Sequence, residues 1–347
     1  MYPGPLAQAH PAGPMLQHYG THGCPVEVVS DWTLDQLDQA VAYGAHSSAQ
    51  NLDAATALRT ESLEKVAQGF TRLVPWKTLR AEIASGSKLH TKISPIAAIP
   101  HKSWLFRMIL DLSHKGQRRL GKQPKLSVNE LTNDDAAPSK SMDQLGHTLG
   151  RVIYAVGNQP TADGPILFCK LDIKDGFWRM SVPTKDEEQF CYVLPQIPGQ
   201  PAGDIQLVVP SSLQMGWTSS PAFFCAGTET GRDIAEWLRL LPKLPPHPLE
   251  HHTTNHPDPD FYQTHFPTLT ALDNPTNREN FFHLFEVYVD DYIGLLQSTN
   301  IDVLQHHSRA LLHAIHQVFP PPAATGHAGE DPISHKKLVT DGEGLWE

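Results

Sequence analysis

The chain contains no run of eighteen apolar residues, so no segment of its 347 residues is long enough to cross a bilayer as a helix. Its N-terminus, Met1-Tyr2-Pro3-Gly4-Pro5, lacks the basic-then-apolar order of a secretion signal. These absences lead to the expectation of a soluble intracellular protein with no membrane partner. Nuclear and cytoplasmic residence stay equally open. Cysteine is scarce: Cys24, Cys169, Cys191 and Cys225 have neither metal-knuckle nor disulfide-framework spacing, which suits a reducing compartment and leaves them as packing residues. Positive charge is also short. A formal net charge of -10 argues against a nucleic-acid binder, yet the distribution matters more than the sum. Between Lys65 and Lys125 thirteen Lys and Arg stand against only Glu82 and Asp111. Such a block is either a solvated face or the footprint of a surface that follows a phosphate backbone.

What is present is long enough for a substantial core, in one large domain or two smaller ones. Residues 1–28, rich in Pro, Gly, Ala and His without periodicity, read as a disordered N-terminal segment. Ser30 is a candidate helix cap, followed at helical spacing by Leu34, Leu37 and Val41, and less regularly by Leu58, Leu63 and Val66. Segment 93–113 predicts two strands around a Pro100 to Ser103 turn, with Lys102 near the turn and Arg107 on the return strand. A helix capped by Ser141 would carry Leu145, Leu149 and Ile153 at i, i+4, i+8. An apolar strand then ends at Asp172, strands follow near 189–194 and 205–210, and Ser219-Ser220-Pro221 starts a helix running to about Leu241. From 242 to 280 the chain is a Pro/His-rich insertion. His252 and His256 stand at helical metal-pair spacing there, but the residues around them disfavour a helix, and no further ligand for zinc is apparent. Beyond it, Ile301, Leu304, Leu311, Ile315 and Val318 mark a helix stopped by Pro320-Pro321-Pro322.

The chemistry concentrates at Tyr288-Val289-Asp290-Asp291, inside the apolar run Phe285 to Leu296. Adjacent carboxylates flanked by β-branched and aromatic residues suit either an ordinary Asp-Asp turn or a tight hairpin whose tip holds cations. A second acidic strand end, Leu171-Asp172-Ile173-Lys174-Asp175-Gly176-Phe177, favours the latter. Converging carboxylates need compensating charge, and their oxygens prefer the hard ions Mg²⁺ or Mn²⁺. Two such ions about 3.5–4 Å apart clamp the attacking and leaving oxygens of a phosphoryl displacement.

Taken in order, Leu-Asp-Ile-Lys-Asp-Gly-Phe-Trp, Leu-Gln-Met-Gly-Trp-Thr-Ser-Ser-Pro-Ala-Phe-Phe and Tyr-Val-Asp-Asp resemble the palm of the reverse transcriptases of retroviruses and retrotransposons. Arg107-Met-Ile-Leu-Asp111 is similar to that family's finger strand, and together these blocks cover about residues 90–297. The resemblance implies an α/β (α+β) fold: a palm with an antiparallel sheet backed by helices, plus a fingers subdomain. Residues 29–165 would be N-terminal helices and fingers, 166–241 palm with finger elements, and 281–347 palm ending before any thumb. It implies two Mg²⁺ or Mn²⁺ ions on Asp172 and Asp290, with Asp291 completing the acidic site. Lys102 and Arg107 would hold an incoming deoxynucleoside triphosphate, and Asp175 and Gly176 would offer backbone amides to its phosphates. Phe177 would exclude a ribose 2′-hydroxyl, and Gly216, Ser220 and Pro221 would line the nucleotide and template path. Tyr288 and Trp217 would pack beside the site. The partners implied are an RNA or DNA template with primer, and the activity is RNA-directed DNA polymerisation. With only a short stretch after Asp291, the expectation is a fragment with weak or no activity alone. The alternatives are a catalytically silent remnant that binds nucleic acid or a partner, and a metal-dependent nuclease. Clustered carboxylates count against the first, and a triphosphate grip with a sugar gate against the second.

Overall fold

A computed structural model describes residues 1, 3–101, 106–116, 125–197, 205–249, 282–298, 300–321 and 330–334. In chain order its helices are α1 (Pro5–Ala9), α2 (Gly13–His22), α3 (Leu34–Tyr43), α4 (Leu52–Ala67), α5 (Trp76–Ala84), α6 (Val128–Leu131), α7 (Thr148–Gly157), α8 (Ser220–Leu238) and α9 (Ile301–Val318). The strands are β1 (Thr71–Pro75), β2 (Ile96–Pro100), β3 (Phe106–Leu110), β4 (Leu167–Asp172), β5 (Tyr192–Val193), β6 (Gln206–Pro210), β7 (His283–Tyr288) and β8 (Asp291–Leu296). The architecture is mixed α/β with small antiparallel sheets. The chain divides into two compact units.

The first unit comprises Met1–Gln17, Pro138–Gly176 and Phe224–Glu347. Its sheet runs β4-β8-β7, with β8 central. Alternation sends Leu171, Tyr292, Val287 and Phe285 to one face, where α8 and α9 pack: the Tyr292 hydroxyl donates to Thr228 O at 2.9 Å, and His307 stacks on Phe285 at 4.1 Å. The other face carries Asp172, Lys170, Asp291 and Ile293, and there Val152 of α7 packs against Ile293 and Leu295. A short segment at Ile333 bridges antiparallel to Ile173, next to the end of β4, with Ser334 N donating to Asp172 O at 2.9 Å.

The second unit comprises His18–Ala137 and Phe177–Phe223. It holds the sheet β1-β6-β5 and the hairpin β2-β3, in which Ile99 pairs with Arg107. Phe190, Tyr192, Val208 and Trp217 are buried in it.

Three expectations change. Residues 1–28 carry α1 and α2 rather than a disordered segment, because α1 is docked: Gly4 N donates to Gln317 O of α9 at 2.7 Å, and Ala7 is fully buried. Composition alone cannot show such a long-range contact. Helix α3 begins after Thr33, not Ser30. Thr33 accepts from Gln36 N while Gln36 reaches back to Thr33 N, a reciprocal capping box. On α7 the buried positions are Thr148 and Val152, while Leu149 and Ile153 are exposed. Arg151 explains the rotation, since it must reach the buried Glu286, which it grips at 2.5 and 2.6 Å. The expected α8 start and the 93–113 hairpin are present as read, although the turn residues 102–105 lie outside the described residues, as do 250–281 with His252 and His256.

Candidate active site

The Tyr288-to-Asp291 stretch is a two-residue hairpin, with Tyr288 paired to Asp291 and Val289 and Asp290 at the tip. Val289 has φ +57, while Asp290 has none in the positive range, the pattern of a type II′ turn whose first position normally belongs to glycine. A β-branched residue held there costs about 1–3 kcal/mol. Surrounding contacts hold the tip in place. Thr148 Oγ1 donates to Val287 O at 3.1 Å, Ile173 N donates to Asp290 O at 3.0 Å, and Tyr292 is anchored on α8.

The register of this sheet brings the acidic residues together. Asp172, the last residue of β4, is the direct backbone partner of Asp291, the first of β8. Paired residues share a sheet face, so both side chains leave on the same side. Asp172 is buried, whereas Asp290 and Asp291 are half-buried. Asp290 bears on the helix behind the sheet: burial first, then Glu229 and then Asp290 push the Cys225 thiol up to about 12. Asp291 is divided between two environments. Its Oδ2 lies 2.8 Å from Lys170 Nζ, and its Oδ1 is buried without a hydrogen-bond partner. Lys170 was not among the sequence candidates, though its place two residues before Asp172 on a strand puts it on the same face.

A carboxylate donor set with one shielded, unpartnered oxygen fits a hard divalent cation in kind. Among the described residues, no three His, Cys, Asp or Glu side chains are grouped as a ready metal cage. The other candidates in this unit are Tyr288, half exposed at the hairpin edge, and Asp175 with Gly176 in the turn after β4. Asp175 has φ +56, a second non-glycine in the left-handed region. At Gly176 an added Cβ would lie 2.6 Å from the Phe224 ring, so the turn is packed down onto α8.

The remaining candidates belong to the second unit. Arg107 is exposed on β3, and Lys102 lies outside the described residues. Phe177 is half-buried and opens a short 3-10 turn. Gly216 has φ +108, and a Cβ there would meet Leu110 O at 2.3 Å, so only glycine fits. Asn129 fastens the same loop by donating to Gly216 O at 2.9 Å. Trp217 is a packing residue, stacked on Phe223 with its Nε1 donating to Thr132 Oγ1 at 2.9 Å. Ser220 is fully buried and donates to Gln214 O at 2.8 Å, so its hydroxyl fixes this loop instead of facing a ligand. Pro221 follows in the first turn of α8.

Among the described residues, most cations of the basic block are engaged within this unit. Arg72 and Lys88 pair with Glu188, Arg80 with Asp38 and Lys115 with Glu130. Lys125 sits 3.5 Å over the Trp32 ring, and burial pushes its pKa down to about 8. Among the described residues of the block, Arg107 and Lys77 are exposed. A scan against protein-family models matches none, and a search of curated proteins returns no match.

Proposed function

We propose that this chain is the fingers and palm portion of an RNA-directed DNA polymerase of the retroelement class, working by two-metal nucleotidyl transfer on a primed RNA or DNA template. The observation that carries the reading is the pairing of Asp172 with Asp291 across β4 and β8, beside the turn that presents Asp290. Acids remote in the chain are neighbours in one sheet. A pure binding module has no need for that costly clustering of like charge. The coarse α/β architecture with an antiparallel sheet between helices agrees with a palm. Among the described residues no helix is long and apolar enough to cross a membrane.

In this reading Asp172, Asp290 and Asp291 would hold Mg²⁺ or Mn²⁺, which would supply charge neutralisation at the reacting phosphate. Asp172, fixed at a strand end and tied by its carbonyl to Ser334 N, gives the site a rigid member. Asp290 follows the strained Val289, and its carbonyl accepts from Ile173 N, so the tip is likewise tied to the end of β4. Arg107 offers a planar fork to the triphosphate, with Lys102 as a second, point-like cation. By the resemblance, Asp175 and Gly176 would offer backbone amides to the phosphates, and Phe177 would exclude a ribose 2′-hydroxyl. The primer 3′-oxygen bonds to the α-phosphorus as the bond to pyrophosphate breaks. The test is primer extension with Mg²⁺ on RNA and on DNA templates. Template-dependent lengthening on RNA supports the reading, and nucleic-acid binding with no incorporation under either Mg²⁺ or Mn²⁺ favours the silent remnant.

A further inference from the structure

Lys170 supplies a cation from within the chain to the acidic cluster. It shares a sheet face with Asp172, and its ammonium lies 2.8 Å from Asp291 Oδ2. The second oxygen of that carboxylate, Oδ1, is buried and accepts no hydrogen bond. One half of Asp291 is therefore neutralised internally while the other half is shielded and unsatisfied, an arrangement costly to keep unless a further ligand completes it. The Lys170 side chain is 34% exposed, so solvent is open to it if it leaves. A lysine ammonium is strongly hydrated on a flexible stem, which makes departure inexpensive compared with a forked arginine pair.

We propose that Lys170 is a positioning residue that competes with a divalent cation for Asp291. Its ammonium holds this carboxylate toward β4, and arrival of the cation displaces it into solvent, releasing both oxygens. The inference rests on reading Asp172, Asp290 and Asp291 as a metal site.

The experiment is calorimetric titration of the whole chain with Mn²⁺, comparing wild type, Lys170→Gln and Lys170→Arg. Lys170→Gln is expected to bind Mn²⁺ more tightly by up to about fivefold, the range for removing one competing ion pair of this exposure. Lys170→Arg keeps the charge and is expected to bind no more tightly than wild type. A second measurement needs no variant. Acylation of Lys170 by an amine-reactive reagent, read by mass spectrometry, should rise when Mn²⁺ is added to wild type. Equal Mn²⁺ affinity in wild type and Lys170→Gln, or labelling unchanged by Mn²⁺, overturns the role of Lys170 while leaving the metal site standing. Failure of wild type and both variants to bind Mn²⁺ overturns the metal site itself, and the inference with it.

Discussion

Asp172 and Asp291 are direct backbone partners at the ends of β4 and β8, though more than a hundred residues separate them in the chain. The relationship depends on register, because a slip of one residue would turn Asp291 to the opposite face. Register in turn depends on Tyr292, next to Asp291, whose buried hydroxyl donates to Thr228 O on α8. The hydroxyl gets that close because residue 231 is glycine: a Cβ there would lie 2.2 Å from it.

Gly231→Ala is therefore expected to destabilise the chain by about 1–3 kcal/mol through overpacking. Tyr292→Phe removes the clashing oxygen and should recover part of that loss in the double variant. Urea denaturation of the two single variants and the double variant measures the coupling. Additive effects would mean that Tyr292 does not set the register through α8.

Val289 tests whether the hairpin tip is strained. Glycine tolerates its φ of +57 without steric cost, so Val289→Gly should gain about 1 kcal/mol in stability, the relieved strain outweighing glycine's entropic cost. The same denaturation experiment reads it. A loss of stability would show that the valine side chain contributes more by packing than its backbone costs.

His307 gives a pH dependence with a definite sign. Burial first, then the charges of His283, Arg239 and His306, push its pKa from the ordinary 6.5 down to about 3. Above 6.5 it is neutral both folded and unfolded. As pH falls from 6.5 toward about 3, the unfolded chain takes up the proton and the folded chain does not, so stability falls. His307→Phe should flatten this part of a stability-against-pH profile. An unchanged slope between about pH 6 and 4, where the unfolded histidine is mostly protonated and the folded one is not, would remove His307 from that role.

Phe177→Ala is expected to raise ribonucleotide incorporation relative to deoxyribonucleotide, because the 2′-hydroxyl distinguishes the two sugars. Steady-state kcat/KM for the two nucleotide classes measures it. Unchanged selectivity would leave Phe177 as a packing aromatic.

The parts legible in the sequence are those set by local pattern. The strand before Asp172 shows as an apolar run, the hairpin as alternating residues around Asp-Asp, and α8 as a serine-proline start. What escaped was set by long-range pairing. The rotation of α7 follows from the Arg151–Glu286 ion pair, and the order of the N-terminal helix α1 from its contact with Gln317. In the sequence the basic block reads as either a solvated face or a phosphate-tracking surface, because its acidic partners Asp38, Glu130 and Glu188 all lie outside it. The three acidic residues could be named from motif order, but the Lys170 contact required knowing that β4 and β8 pair in this register.

The most direct test of the central claim is single-nucleotide incorporation by Asp290→Asn on a primed RNA template with Mg²⁺, with binding of the same template measured alongside. Loss of incorporation by about 100-fold or more, with binding within about twofold of wild type, is the predicted result for a residue that acts through metal-held chemistry. Incorporation at the wild-type rate would contradict it.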